Sequence, residues 1–345
     1  MRSLSVWFLS LGLVAVSALP AAAQNVKLGT IAPKDSPWHQ IILDMGERWK
    51  KDTGGAVTLT VYAGGVAGDD TAMVRKMRIG QLHAGVLTSM GLAAIVPEVA
   101  VMHLPRLLRS DAELDHIWTY LGPRWAGKLE QAGFKLLNWG EGGWSHFFSQ
   151  QAVTVPDDLK RCKVLVWASS DASRVMDAWK KRGCRPVTLP VNEIHTGLQT
   201  GLIDTILTPP PSALAFQWFG QAKHMTALPV APVVGATVMT LKQWERIQPE
   251  HQKAVLAAAA QAQEDTRRRI RGLGAEAIEA MRKHGLEVHP VTAEQEATWQ
   301  DFSEQGYEEL RGDTIPKELV DEIRTRLAAF RAQQAQGAPP EPRQE

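Results

Sequence analysis

The sequence is poor in cysteine and tyrosine, and neither sign of charge is in excess. It has 2 cysteines and 3 tyrosines among 345 residues, and 38 basic residues against 37 acidic ones. Such a balance argues against a nucleic acid partner, because that partner is held by many contacts between cationic side chains and phosphates.

The common catalytic and nucleotide-binding motifs are also missing. The sequence has no HExxH, no GxSxG, no P-loop and no GxGxxG motif. An exported enzyme that uses Glu193 or His195 is the remaining catalytic alternative, but a general base there needs a partner that the sequence does not show. We therefore expect a protein that is not an enzyme and that has no metal or cofactor.

One apolar run stands out, and it lies at the amino terminus. Arg2 precedes the run at residues 6–18, and the small side chains of residues 21–23 follow it, as at a signal-peptidase site. The run is too short, and its downstream flank too polar, for a membrane-spanning helix. We expect residues 1–23 to be a signal peptide cleaved after Ala23, which places the mature protein in the periplasm.

Strand-like and helical segments alternate along the rest of the chain, which is typical of an α/β fold with a parallel or mixed sheet. In residues 186–208, a β-rich run, a helix beginning at Asn192 and a second buried strand follow each other. Ligands of such βαβ units bind at the carboxyl ends of the strands. Residues 241–284 have an almost unbroken helical composition, long enough to lie across two domains. The tail 333–345 is rich in Gln, Ala and Pro, and we expect it to be disordered.

The two cysteines lie at the starts of two strand-like runs. Cys162 begins the run that ends at Trp167, and Cys184 begins the run that ends at Leu189. Because parallel strands in a right-handed crossover start at the same edge of a sheet, both side chains fall within reach of a disulfide. An oxidising compartment permits that bond, which would contribute about 3 kcal/mol. We predict the disulfide, with two reduced buried thiols as the alternative.

Several short motifs occur in a fixed order along the mature chain. They are TGG at 53–55, GQLHA at 80–84, PDDLK at 156–160 and PVNEIHTGLQTGLID at 190–204. In order and spacing they resemble the solute-binding proteins of TRAP (tripartite ATP-independent periplasmic) transporters, the dicarboxylate-receptor-type family. The resemblance covers essentially the whole mature chain.

The resemblance implies a two-lobed α/β clamshell with a long interlobe helix, and the glycine-rich stretch 140–144 suits a hinge. Lobe 1 would comprise residues 24–140 with 234–260, and lobe 2 residues 141–233 with 261–332. Such a receptor closes around one small molecule and delivers it to a membrane permease driven by an ion gradient. We expect a monomer, with a dimer as the alternative. A ligand sensor or scaffold not coupled to transport is the alternative function.

Four positions depart from the family pattern. Leu165 stands where typical members carry an arginine that pairs with the ligand carboxylate. Members that bind larger acids use a second arginine, and its position would fall near Ser145 in this sequence. Thr208 stands where members usually carry an asparagine. Arg106 replaces a phenylalanine and is the candidate for a substitute cation. A carboxylate buried beside Leu165 without a cation would have a large desolvation cost.

Aromatic side chains fall where family members line the cleft, although core packing is the alternative for each of them. Together they favour an apolar or aromatic solute, held by stacking and a few polar contacts. The candidate ligand-binding residues are Trp38, Thr88, Ser89, Trp144, Ser145, Leu165, Trp167, Val191, Thr208, Phe216 and Trp218.

Overall fold

A computed structural model describes residues 23–167, 172–310 and 315–337, so the predicted signal peptide lies outside the described residues except for Ala23. No helix within these ranges is long and apolar enough to cross a membrane. The strands are β1 (Gln24–Thr30), β2 (Val57–Tyr62), β3 (Ala84–Thr88), β4 (Phe134–Ser149), β5 (Lys163–Trp167), β6 (Arg185–Leu189), β7 (Thr205–Thr208), β8 (His224–Thr226), β9 (Ala231–Thr240) and β10 (Glu287–His289). The α-helices are α1 (Pro37–Asp52), α2 (Asp70–Arg78), α3 (Ser89–Ala93), α4 (Asp111–Gln131), α5 (Ala172–Lys181), α6 (Ile194–Thr200), α7 (Pro210–Ala215), α8 (Leu241–Trp244), α9 (Pro249–Arg282), α10 (Ala293–Leu310) and α11 (Lys317–Gly337).

The strands form a mixed sheet in the order β2-β1-β3-β9-β4-β7-β5-β6. In one half, β1 is parallel to β2 and β3. In the other half, β5 is parallel to β6 and β7. Between the halves lie β9 and β4, which are antiparallel to each other and to their outer neighbours β3 and β7. The two halves, each covered by helices, form the predicted two-lobed α/β architecture.

The strand β4 belongs to both halves of the sheet. Its residues 134–145 pair with β9, and its residues 146–149 pair with β7. The predicted glycine-rich break at 140–144 does not interrupt the strand. Instead, the register shifts between Glu141 and Gly143, and Gly143 takes a φ of 95° that disfavours any residue with a Cβ.

The long helix α9 connects the two cores. It has 34 residues, so it extends about 50 Å at 1.5 Å per residue. Val255 and Ala259 near its start pack with Trp49 of α1, whereas Ala277 and Met281 near its end pack in the core of the second lobe. The helix therefore packs against both lobes, and Ala262 and Thr266 in its middle line the cavity between them.

Two predicted helical boundaries differ from the structure. The predicted helix 241–284 is divided into α8 and α9, because Pro249 starts α9 and holds the preceding residue, Gln248, in an extended conformation. The predicted disordered tail begins too early, since α11 continues to Gly337. Alanine and glutamine are good helix formers, and Arg331 ties this helix to Glu113 at 2.8 Å. Residues 338–345 lie outside the described ranges.

The structure does not contain the predicted disulfide. Cys162 and Cys184 are both free thiols in it, and both are buried. The register of β5 and β6 does place them side by side, one residue before the pair Lys163 and Arg185. Burial raises the pKa of both thiols, which opposes formation of the thiolate that disulfide exchange requires. The Sγ of Cys162 instead donates a hydrogen bond to the carbonyl oxygen of Asp158 at 3.3 Å.

Candidate functional site

A cavity of about 240 Å³ lies between the two halves of the sheet. The carboxyl ends of β1 and β3 form one side of it, and those of β5, β6 and β7 form the other. The crossing strands β4 and β9 form the back. Ligands of open α/β sheets bind at the carboxyl ends of parallel strands, so the cavity is in the expected place for a binding site.

The structure brings most of the predicted site residues together, and it leaves three of them, together with Arg106, outside the cavity. The predicted residues that line the cavity are Trp38, Thr88, Ser145, Trp167, Val191, Thr208, Phe216 and Trp218. The predicted residues that do not line it are Ser89, Trp144 and Leu165.

Leu165 and Ser89 are buried away from the cavity. Leu165 is 4% exposed and packs in the core of the second lobe. It shares a face of β5 with Trp167, because residues two apart in a strand point the same way, but Trp167 lies nearer the carboxyl end and the cavity. The hydroxyl of Ser89 is hydrogen-bonded to Nε2 of His103, a residue that does line the cavity.

Trp144 and Arg106 have structural partners elsewhere. The indole N–H of Trp144 donates to Asp111 at 2.7 Å, on the side of β4 that faces a second cavity against α9. The guanidinium of Arg106 donates to the carbonyl oxygen of Pro229 at 2.9 Å and pairs with Glu296. Arg106 therefore connects α10 to the first lobe and is not a substitute for the missing arginine in the cleft.

Aromatic rings form a wall of the cavity. Phe216 stacks on Trp218 with ring centroids 4.4 Å apart and an interplanar angle of 10°, and Trp167 lies 6.0 Å from Trp218. The indole N–H of Trp167 donates to the carbonyl oxygen of Leu207 at 3.3 Å, and that of Trp38 donates to the carbonyl oxygen of Glu141 at 3.1 Å. Because these donors are already used, both indoles offer mainly their apolar surfaces to a ligand.

The charged groups at the cavity wall are acidic. Asp69, Asp70 and Glu141 line it, and no Lys or Arg does so in the part of the chain that the structure describes. Glu141 is paired with Arg271 at 2.7 Å, and Asp69 accepts the backbone N–H of Ala72 at 2.7 Å as the cap of α2.

Asp70 is a buried acidic residue at the cavity, and none of the ion pairs among the described residues involves it. Burial raises its pKa to about 6, although hydrogen bonds from Thr88 oppose the rise. Its two carboxyl oxygens accept the backbone N–H of Thr88 at 3.1 Å and the hydroxyl of Thr88 at 2.5 Å. Gly91 lies against this carboxyl group, since a Cβ there would be 2.8 Å from the Asp70 Cβ. The packing holds Asp70 at the edge of the cavity.

Asn138 is a second polar residue at the cavity that sequence reasoning missed. Its amide nitrogen donates to the carbonyl oxygen of Trp139 at 3.0 Å, whereas its Oδ1 has no hydrogen-bond partner among the described residues. A buried acceptor without a donor is costly, so this oxygen is suited to a donor on a ligand. The available signal was a polar residue inside the apolar run Leu136–Trp139 of a predicted strand, written LLNW.

The architecture defines a class of protein. Two α/β lobes, joined by crossing strands and a long helix around a cavity of small-molecule size, are the features of a hinged solute receptor. The family described as "Bacterial extracellular solute-binding protein, family 7" matches residues 28–313, and the chain belongs to this family.

Individual relatives agree with this assignment. The 2,3-diketo-L-gulonate-binding periplasmic protein YiaO of Escherichia coli K12 is 24% identical over 84% of this chain and 88% of its own. The C4-dicarboxylate-binding periplasmic protein DctP of Rhodobacter capsulatus is 24% identical over 90% of this chain and 94% of its own. A TRAP periplasmic solute-binding protein of Sulfitobacter sp. NAS-14.1, with bound β-D-galacturonate, has a TM-score of 0.80 and 20% identity, covering 88% of this chain and 100% of its own. The predicted family and fold are thus confirmed.

Proposed function

We propose that the protein is a periplasmic receptor that binds one uncharged, largely apolar organic molecule between its lobes and delivers it to a TRAP-type permease. The amino-terminal leader would be removed after Ala23. The moving lobes would be residues 24–140 with 234–260 and residues 141–233 with 261–332. The observation that carries the choice of ligand is the charge of the cavity wall, where the described residues supply carboxyl groups but no Lys or Arg.

A carboxylate ligand would be poorly accommodated in this cavity. It would leave water without gaining a cation, which is costly for any buried charge. It would also lie near Asp70, whose ionised form repels a second negative charge. An uncharged ring avoids both costs and gains contact with the aromatic surfaces of Trp38, Trp167 and Phe216. A hydroxyl on that ring would supply the donor that Asn138 Oδ1 lacks.

A melting-temperature panel tests the class of ligand. Matched pairs of compounds that share a ring but carry either an alcohol or a carboxylate isolate the effect of charge. We expect alcohols of aromatic or terpenoid type to raise the melting temperature, by several degrees at about 100 times Kd, because they bind only the folded form. Succinate and sugar acids should leave it unchanged. A rise with the acids and none with the alcohols would overturn the proposal.

Removing an aromatic wall residue tests the place of binding. Trp167→Ala should weaken binding of the best alcohol in that panel at least tenfold in calorimetry, because the ligand loses a stacking surface. Trp144→Phe is the matched control, since Trp144 does not line the cavity. Equal losses in both variants would show that the ligand binds elsewhere. Melting without ligand checks that each variant folds.

A further inference from the structure

The strand pair β8 and β10 gathers two histidines and one glutamate at the edge of the second lobe. The two strands are parallel, with His224 opposite Glu287 and Thr226 opposite His289. Glu287 and His289 are two residues apart, so they point to the same face of β10. The ligand-type atoms of His224, Glu287 and His289 all lie within 4.8 Å of one another.

The distances within this cluster suit a small divalent cation. Nδ1 of His224 lies 2.9 Å from Nε2 of His289 and 3.5 Å from Oε2 of Glu287. In a tetrahedral zinc site with bonds of about 2.0 to 2.1 Å, neighbouring ligand atoms are about 3.4 Å apart. Small side-chain movements would therefore bring all three atoms to bonding distance.

The chemistry of the cluster also suits zinc. Two neutral imidazoles and one carboxylate are a known ligand set for Zn²⁺, and a water molecule completes the tetrahedron. Glu287 has a side chain that is 67% exposed, so water and ions reach the cluster. The hydrogen bond between the rings now requires one of the facing nitrogens to carry a proton. On metal binding, that ring would change tautomer and keep its proton on the outer nitrogen.

We propose that His224, Glu287 and His289 form a Zn²⁺ site. The site is separate from the solute cavity, since none of the three residues lines it. The strand β10 follows the interlobe helix α9, and β8 pairs with β4, the strand that crosses between the lobes. Bound zinc would tie the strand that follows the interlobe helix to the sheet of the second lobe.

Calorimetric titration of ZnCl₂ into protein freed of metal by a chelator and carrying no polyhistidine tag tests the site. We expect one equivalent of Zn²⁺ to bind and the melting temperature to rise with zinc concentration, because zinc binds the folded form. His224→Ala and His289→Ala should each weaken binding at least tenfold, and Glu287→Ala should also weaken it. His284→Ala is the matched control, because His284 is an exposed histidine near β10 that is outside the cluster.

Two results of the zinc titration would overturn the proposal. One is the absence of zinc binding at millimolar concentration in the parent protein. The other is binding that persists with unchanged affinity when His224 and His289 are both replaced by alanine. Melting curves in the presence of chelator establish that the variants fold. As an independent readout, Co²⁺ should give the intense absorption of a tetrahedral complex in the parent and lose it in His289→Ala, whereas a weak octahedral spectrum in the parent would contradict the three-ligand site.

Discussion

Replacing Gly235 with alanine is expected to destabilise the protein by about 3 kcal/mol, which would lower its melting temperature by about 10 °C. Gly235 lies in β9 opposite Thr88 of β3 and lines the solute cavity. A Cβ at this position would lie 2.2 Å from the backbone carbonyl oxygen of Leu87 and 3.2 Å from the Cα of Thr88. Since these atoms belong to the backbone of the neighbouring strand, no side-chain movement can relieve the contact.

The matched control is Gly140→Ala. Gly140 lies in the adjacent strand β4, where it pairs with Gly235 of β9, and it also lines the cavity. A Cβ added at Gly140 would have the carbonyl oxygen of Gly235 as its nearest neighbour at 3.9 Å, which is an ordinary contact. We expect Gly140→Ala to change the free energy of unfolding by less than about 1 kcal/mol. Urea unfolding of both variants measures the difference. Equal stability of the two variants would show that β3 and β9 do not approach as closely as described.

Local sequence patterns were sufficient to predict most of the secondary structure. The stretch 186–208 folds as β6, α6 and β7, and Gly201 ends α6 with a φ of 69°, as a left-handed cap does. The predicted start of the helix was less accurate, because Asn192 lies in a short 3₁₀ turn and α6 begins at Ile194. Pro190 directly precedes this segment, and the chain after it first forms one tight 3₁₀ turn. The regular α-helix begins only after that turn.

The candidate site was harder to predict, because its members depend on depth within the fold. Strand alternation shows that Leu165 and Trp167 share a face, but only the packed structure shows that Trp167 lies at the cavity and Leu165 in the core. The cluster of His224 with His289 was not visible for another reason. These residues are 65 positions apart, and only the pairing of β8 with β10 brings them together.

The acid Asp70 should make the protein less stable as the pH rises from about 4 to 7. Burial raises the pKa of Asp70 from its ordinary value of 3.8 to about 6, so the folded state binds this proton more tightly than the unfolded state does. The stabilising effect of protonation is complete below pH 3.8 and is lost as the pH rises through 6. A pKa difference of this size corresponds to about 3 kcal/mol, since each tenfold change in proton affinity is worth about 1.4 kcal/mol.

Replacing Asp70 with asparagine should remove most of this dependence. Asparagine has nearly the same shape, and its oxygen and nitrogen can face the backbone N–H and the hydroxyl of Thr88, the two groups that now bond the carboxyl. We expect Asp70→Asn to be more stable than the parent by about 2 to 3 kcal/mol at pH 8, and about equal to it at pH 4. Urea unfolding at several pH values measures this, with the same substitution at an exposed position of α10, Asp301→Asn, as the control. If Asp70→Asn instead lost stability equally at pH 4 and pH 8, Asp70 would be held mainly by its hydrogen bonds with Thr88, and the energetic cost of its buried charge would be small.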